Sequence, residues 1–240
     1  MFDWQFGVLL LSNGILIGLM YSLIALGFVL VYKATDAINF AQGEFVMVGG
    51  LVVAVAMASY GAPWWLAAAV GIAGMIGFGF GLERAMLRPL IGRPVVAVIM
   101  ATIGLAAVLR GISPLLWGGE TRALPLPIGD EPLVLGPMLI APIQLVGGVV
   151  SLLFLAGFGW FFLKSRKGIA MRAVADDQQV AMALGIDVER YFGMAWAMAG
   201  VVSALGGIVW GNLLGVDVHL ALIGLKVFPV VILGGLDSIP

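Results

Sequence analysis

The sequence has 240 residues, of which 62% are hydrophobic and only 10% charged, and its formal net charge is -1. A soluble domain carries roughly 25% charged residues, so this composition excludes an ordinary soluble domain and indicates an integral membrane protein. There is no cysteine, hence no disulfide framework or thiolate metal site. The sequence also lacks both a glycine-rich phosphate loop and an HExxH zinc motif. With His219 as its one histidine, the chain is expected to need no metal and no cofactor, and whatever consumes energy lies outside it.

Residues 4–32 are free of charge, enough to cross a ~30 Å hydrocarbon core with tilt to spare. They lack a basic n-region and far exceed the roughly 7 to 15 residue core of a signal peptide, so they read as a retained first span. Gly14 and Gly18 form a GxxxG pair expected to pack against another helix. Polar side chains then recur at Asp36, Asn39, Gln42 and Glu44. The apolar run that follows, 45–60, has sixteen residues, short of the roughly 17 to 25 that span a bilayer. The second span is therefore expected to begin inside the polar stretch and to draw residues 39–44 toward the membrane. An ionisable residue at that depth is a functional candidate by default; the alternative is an interfacial loop in which all four side chains are solvated.

Gly61-Ala62-Pro63 predicts a tight hairpin, with Trp64 and Trp65 as interfacial anchors. A glycine-rich third span, 64–82, follows. After Arg84, Arg88 and Arg93, residues 94–109 form a fourth apolar run that Arg110 ends. Residues 118–137 are rich in Gly and Pro and read as an irregular loop with a short extended piece at 133–135. The fifth and sixth spans are 138–163 and 191–215, the latter with Gly207, Gly211 and Gly215 at packing spacing. Residues 216–240 hold Asp217, His219, Lys226 and Asp237 among apolar residues. With Pro229 and Gly234-Gly235 as breaks, they predict an interrupted helix of the kind that places backbone groups at a site or gate.

The segment 164–190 is the longest water-compatible one and holds nine of the charged residues. Within it, 171–184 lacks Gly and Pro and predicts one helix roughly 21 Å long, with Gly185 as its C-terminal stop. Met171, Val174, Val180, Met182 and Leu184 are more apolar side chains than a short loop helix needs as an anchor. Two readings stand: a helix resting on the bilayer surface, or a docking helix for a soluble partner. The segments 33–44, 83–93 and 164–190 share one side of the membrane and carry nine basic residues, against Arg110, Arg122 and Lys226 on the other. The positive-inside rule puts the central loop in the cytoplasm and the N-terminus outside.

Three stretches, 18–50 with its core Ile38-Asn-Phe-Ala-Gln-Gly-Glu44, 168–187, and 224–240 ending Gly-Gly-Leu-Asp-Ser-Ile-Pro, together resemble the permease subunits of bacterial ABC importers for branched-chain amino acids. The resemblance covers essentially the whole chain, and permeases for urea and short amides share the same blocks. It implies an all-α polytopic transmembrane bundle, with interrupted helices and a cytoplasmic coupling helix, in the bacterial inner membrane. It also implies three partners: cytoplasmic ABC ATPase subunits, a second homologous permease and a periplasmic substrate-binding protein. Membrane lipid surrounds such a subunit, and nucleic acid is not a partner. The resemblance assigns Arg172, Ala173, Ala175, Asp176, Asp177, Ala181, Gly185 and Ile186 to the loop that docks on an ATPase, which favours docking over the surface helix. It places Asn39, Gln42, Gly43 and Glu44 near the start of the second span. There they either line the pathway or form a network that stabilises a helix break. Family members continue beyond the point where this sequence stops, at Pro240, with at least one more span, so either a truncated fragment lacking the last span or a shortened variant is expected.

On this reading the chain is a single permease domain without catalytic residues, and the 171–184 helix moves as a rigid lever. Two rivals make different predictions. An ion-coupled secondary transporter would use Glu44 as its proton or cation site. A membrane enzyme would pair Asp217 with His219, but an i, i+2 spacing does not put both on one helix face.

Overall fold

The computed structural model describes residues 4–90, 93–129 and 131–235. Six of its helices are long and apolar enough to cross a membrane among the described residues. In order the elements are α1 (Trp4–Thr35), α2 (Gln42–Tyr60), α3 (Trp64–Leu82), α4 (Val95–Trp117), the strands β1 (Leu133–Leu135) and β2 (Met138–Ile140), α5 (Pro142–Lys164), α6 (Arg166–Asp176), α7 (Gln178–Ala183), α8 (Val188–Leu214) and α9 (Leu222–Gly234). The chain is a polytopic helical bundle.

Helix α8 is its centre. It packs on α1, α2 and α3, and 72% of its most apolar window is buried, against 17% for α4. That contrast separates core from outer wall. The seam is built on glycine: a Cβ on Gly49 of α2 would lie 2.8 Å from Ala204 Cα, and Gly79 and Gly200 sit against the carbonyls of Trp196 and Met75. In lipid, where apolar burial gives little drive between helices, such backbone proximity maximises dispersion contacts. A larger side chain at any of these positions would force the helices apart. Phe45 of α2 fills the remaining space edge-on to Phe78 and Trp196.

Several expectations change on folding. Gly14 and Gly18 have no atom within reach of an added Cβ, so their packing role is not used within this chain. Residues 138–140 belong not to the fifth span but to an antiparallel hairpin with 133–135, which Asn13 of α1 holds through a hydrogen bond to the Leu139 carbonyl. Arg110 does not end the fourth span. Helix α4 runs on to Trp117, because the residues after Arg110 are again apolar, and the irregular loop begins at Gly118. The expected 171–184 helix is two helices, α6 and α7, with Asp177 at the joint. Helix α9 runs through Pro229 rather than breaking there, after a 3-10 turn at Val218–Ala221. Asp237 and the final Ser-Ile-Pro lie outside the described residues.

Candidate functional site

The second span does begin in the polar stretch, and the way it begins defines the site. Helix α1 stops at Thr35, where Asp36 takes a left-handed conformation (φ 55°) that Asp tolerates better than most residues. Residues 36–41 are not helical, and they climb along α4. Phe40 N–H donates to Thr102 Oγ1 at 3.3 Å, seven residues into α4. Arg110, fifteen residues in and about 22 Å along the helix, donates from Nε to Glu44 Oε1 at 2.6 Å. On the other side Gln42 Nε2 donates to Ser203 Oγ at 3.0 Å, and Ser203 is also fifteen residues from the start of α8. Even allowing for long Gln and Arg side chains, α2 starts well inside a ~30 Å core.

Irregular backbone at that depth is tolerated only when buried in protein and satisfied. Asn39 and Gln42 supply this, each at 0% exposure. Asn39 Oδ1 accepts from Ala41 N–H at 3.0 Å, its Nδ2 donates to Gln42 Oε1 at 3.3 Å, and Ser203 Oγ passes the chain on to the Ala199 carbonyl at 2.7 Å. Of the four residues expected near the start of this span, Asn39 and Gln42 therefore hold the helix break. Gly43 and Glu44 reach a cavity.

That cavity lies between α1, α2, α4 and α9 and includes Phe28, Phe40, Glu44, Arg110 and Phe228 in its lining. Its volume is about 10 Å³, room for one water at most. Glu44 is 1% exposed and Arg110 is 47% exposed at its side chain, so the pair opens on one side only. Phe228 packs its ring on Phe28 (6.0 Å) and Phe40 (5.6 Å). At the α2–α9 crossing a Cβ on Gly224 would lie 2.6 Å from Gly43 Cα, and one on Gly43 would strike the Ala221 carbonyl. A second, larger cavity of about 210 Å³ lies toward the basic end of α4, lined by Asp36, Arg93, Val98 and Gln178 among others.

The central loop is split in structure into an anchored part and an exposed part. Ser165 caps α6 by accepting from Gly168 N–H, and Met171, Val174 and Ala181 are buried with Leu30, Phe158 and Phe162 of α1 and α5. Arg172 is spent on the same anchor: its Nη2 donates to the Leu163 carbonyl at 3.4 Å and its guanidinium lies over the Phe162 ring. Ile186 packs against this cluster, while Ala173 and Ala175 are half-buried. Asp177 breaks the helix by accepting from Gln179 N–H and Val180 N–H at 2.8 and 2.9 Å, the N-cap pattern of a new helix. Past it, Val180 (55%), Met182 (52%) and Leu184 (74%) are exposed together with Asp176, Asp177 and Gly185. Gly185, at φ 80°, closes α7 as expected, its N–H donating to Met182 and that of Ile186 to Ala181.

Sequence reasoning missed two groups. One is Arg110 as partner of Glu44; the signal was the apolar run that resumes at Ile112. The other is a triad at the basic end. One π-turn, Glu83–Leu87, widens the spiral so that residue 88, in place of 86 or 87, stacks over residue 83. Arg88 then grips the buried Glu83 through Nε and Nη2 (3.3 and 3.2 Å) and reaches Glu189, in the first turn of α8, at 2.7 Å. Asp217, by contrast, has both oxygens committed, Oδ1 to His219 N–H and Oδ2 to the Thr121 hydroxyl. It fixes a turn and does not form an acid–base pair.

The model of the branched-chain amino acid transport system permease component family matches residues 10–240. The high-affinity branched-chain amino acid transport system permease protein LivH of Salmonella typhimurium is 30% identical over 242 residues, covering 95% of this chain and 79% of that protein. The corresponding BraD of Pseudomonas aeruginosa is 30% identical over 246 residues, covering 96% and 80%. The autoinducer 2 import system permease protein LsrC of Yersinia pestis is 30% identical over 194 residues, covering 80% of this chain and 52% of that protein. No solved structure matches the chain. A bundle of six apolar helices, an intramembrane helix break and this match together make the chain a member of the branched-chain amino acid transport permease family.

Proposed function

We propose that the chain is the membrane subunit of an ATP-driven importer for branched-chain amino acids, seated in the bacterial inner membrane with its basic end in the cytoplasm and its N-terminus in the periplasm. It contributes the pathway. Cytoplasmic ATPases supply the energy, a second permease completes the pathway, and a periplasmic binding protein delivers the solute. With Arg110 inside α4 and Lys226 inside α9, Arg122 is the remaining basic residue of the opposite loops, which strengthens the charge asymmetry behind this orientation.

The observation that carries the reading is α7. Three apolar side chains, Val180 and Met182 of α7 and Leu184 just past its end, stand exposed on a short segment that is anchored into the bundle through Ala181 and its neighbour α6, the form of a knob awaiting a groove. The chain does no covalent chemistry. A push on α7 enters α8 through residues 184–187, where Asp187 caps α8 by accepting from Arg190 N–H, and passes to the end of α3 through Arg88. The joint at Asp177 lets α7 tilt while α6 stays on α1 and α5. By linkage, an ATPase state that favours one orientation of the bundle is itself favoured by that orientation.

Copurification of the ATPase subunits with the wild-type chain, and with a Met182→Asp and Leu184→Asp variant at equal membrane insertion, tests this. The wild type retains the ATPases and the variant loses them. Retention by both would remove α7 as the docking surface. Substitution at Asp177 is a poorer probe, because it uncaps α7 as well as altering its charge.

A further inference from the structure

Two of the helices around the small cavity carry an interior proline: Pro114 in α4 and Pro229 in α9. Proline has no N–H, so the carbonyl four residues earlier loses its ordinary helical partner. Those carbonyls belong to Arg110 and Leu225, and both residues line the cavity. Glu44 meets Arg110 through one oxygen: Nε and Nη2 both fall on Oε1. A guanidinium has five N–H donors, and this one is half-exposed. One small space is therefore lined by an incompletely used cation, a carboxylate and two residues whose carbonyls have lost their ordinary helical partners, beside a wall of Phe28, Phe40 and Phe228.

Building on the permease reading, we propose that this cavity recognises the solute by its two charged ends and its apolar side chain. Arg110 receives the carboxylate. Glu44 and the carbonyls of Arg110 and Leu225 receive the ammonium, and the three phenylalanines receive the side chain. The charge balance favours a zwitterion: the Glu44–Arg110 pair is neutral, and a solute that is also neutral overall adds opposite charges to it without leaving one uncompensated in a low dielectric. An amino-acid amide lacks the carboxylate and forfeits its charge-assisted bonds; a plain amine brings an unmatched positive charge. In the present conformation the cavity is closed, and α9 must separate from α2 at the Gly43–Gly224 crossing to admit a solute.

The test is binding of radiolabelled leucine to the purified complex of this chain with its ATPase subunits and second permease, free of the periplasmic binding protein that would itself bind leucine, with leucinamide and isoamylamine as competitors. Three forms are compared: wild type, Arg110→Lys, and the neutral double variant Glu44→Gln with Arg110→Gln, which keeps a hydrogen-bondable pair so that the bundle still folds. Wild type should bind leucine about 10- to 100-fold more tightly than either competitor. Arg110→Lys should narrow that ratio, and the double variant should abolish it while retaining ATPase subunits. Undiminished discrimination in a folded double variant overturns the inference. So does a wild type that binds leucine and leucinamide equally, which leaves the permease reading intact. A wild type that binds urea or acetamide and no leucine overturns both this inference and the proposed solute.

Discussion

Two buried glutamates, Glu44 and Glu83, each meet a half-exposed arginine, and the difference between their surroundings is instructive. Glu44 and Arg110 tie α2 to α4 deep in the bundle as one acid and one base. Glu83 and Arg88 lie at the basic end, where a cavity of about 250 Å³ surrounds them and Glu189 joins as a second acid, 55% exposed at its side chain. Deep in the bundle an extra charge would be uncompensated, so the pair is neutral; near water the excess negative charge is screened. On the readings proposed above, the same chemistry serves recognition in one place and transmission between α3 and α8 in the other.

Breaking the deep pair should cost most. Arg110→Gln leaves Glu44 charged and unpaired, with an expected loss of about 3–5 kcal/mol, read as a fall in unfolding stability in nanodiscs. Adding Glu44→Gln should restore most of it, since the two positions share one interaction. Arg88→Gln should destabilise less, because the buried Glu83 borders a cavity of about 250 Å³ that water can enter once the guanidinium is gone, yet it should uncouple ATP hydrolysis from transport more than its stability loss accounts for. Asp177→Ala, outside both pairs, should cost about 1 kcal/mol of cap energy, confined to α7 and seen as faster amide exchange over 178–183. The smallest effect belongs to Glu189→Gln, an exposed partner: stability unchanged within error. An equal loss from Arg110→Gln and Arg88→Gln would erase the distinction between deep and peripheral pairs.

The polar stretch 36–44 illustrates how far sequence reasoning reaches. That the second span had to start within it followed from counting apolar residues, since sixteen cannot cross a bilayer comfortably. That Gln42, bonded to Asn39 three residues away, also bonds to Ser203 depends on a residue 161 positions away. The central loop behaves similarly. Its exposure to water and its stop at Gly185 were legible, but the break at Asp177 was not, because a run without Gly or Pro predicts an unbroken helix until an Asp side chain competes for the backbone N–H groups ahead of it.

By itself the sequence determined what the solvent dictates: which segments are apolar enough to enter lipid and which end of the bundle is basic. These depend on composition and local spacing, because transfer into hydrocarbon is summed residue by residue along a helix. Only the tertiary structure decided the partners of the buried charges. Arg110 looked like the end of a span until α4 was laid beside α2, and Glu44 looked like an isolated acid until Arg110 arrived from 66 residues away. Pairing of charges in low dielectric is a relation between helices, fixed when the glycine seams set their depth and rotation.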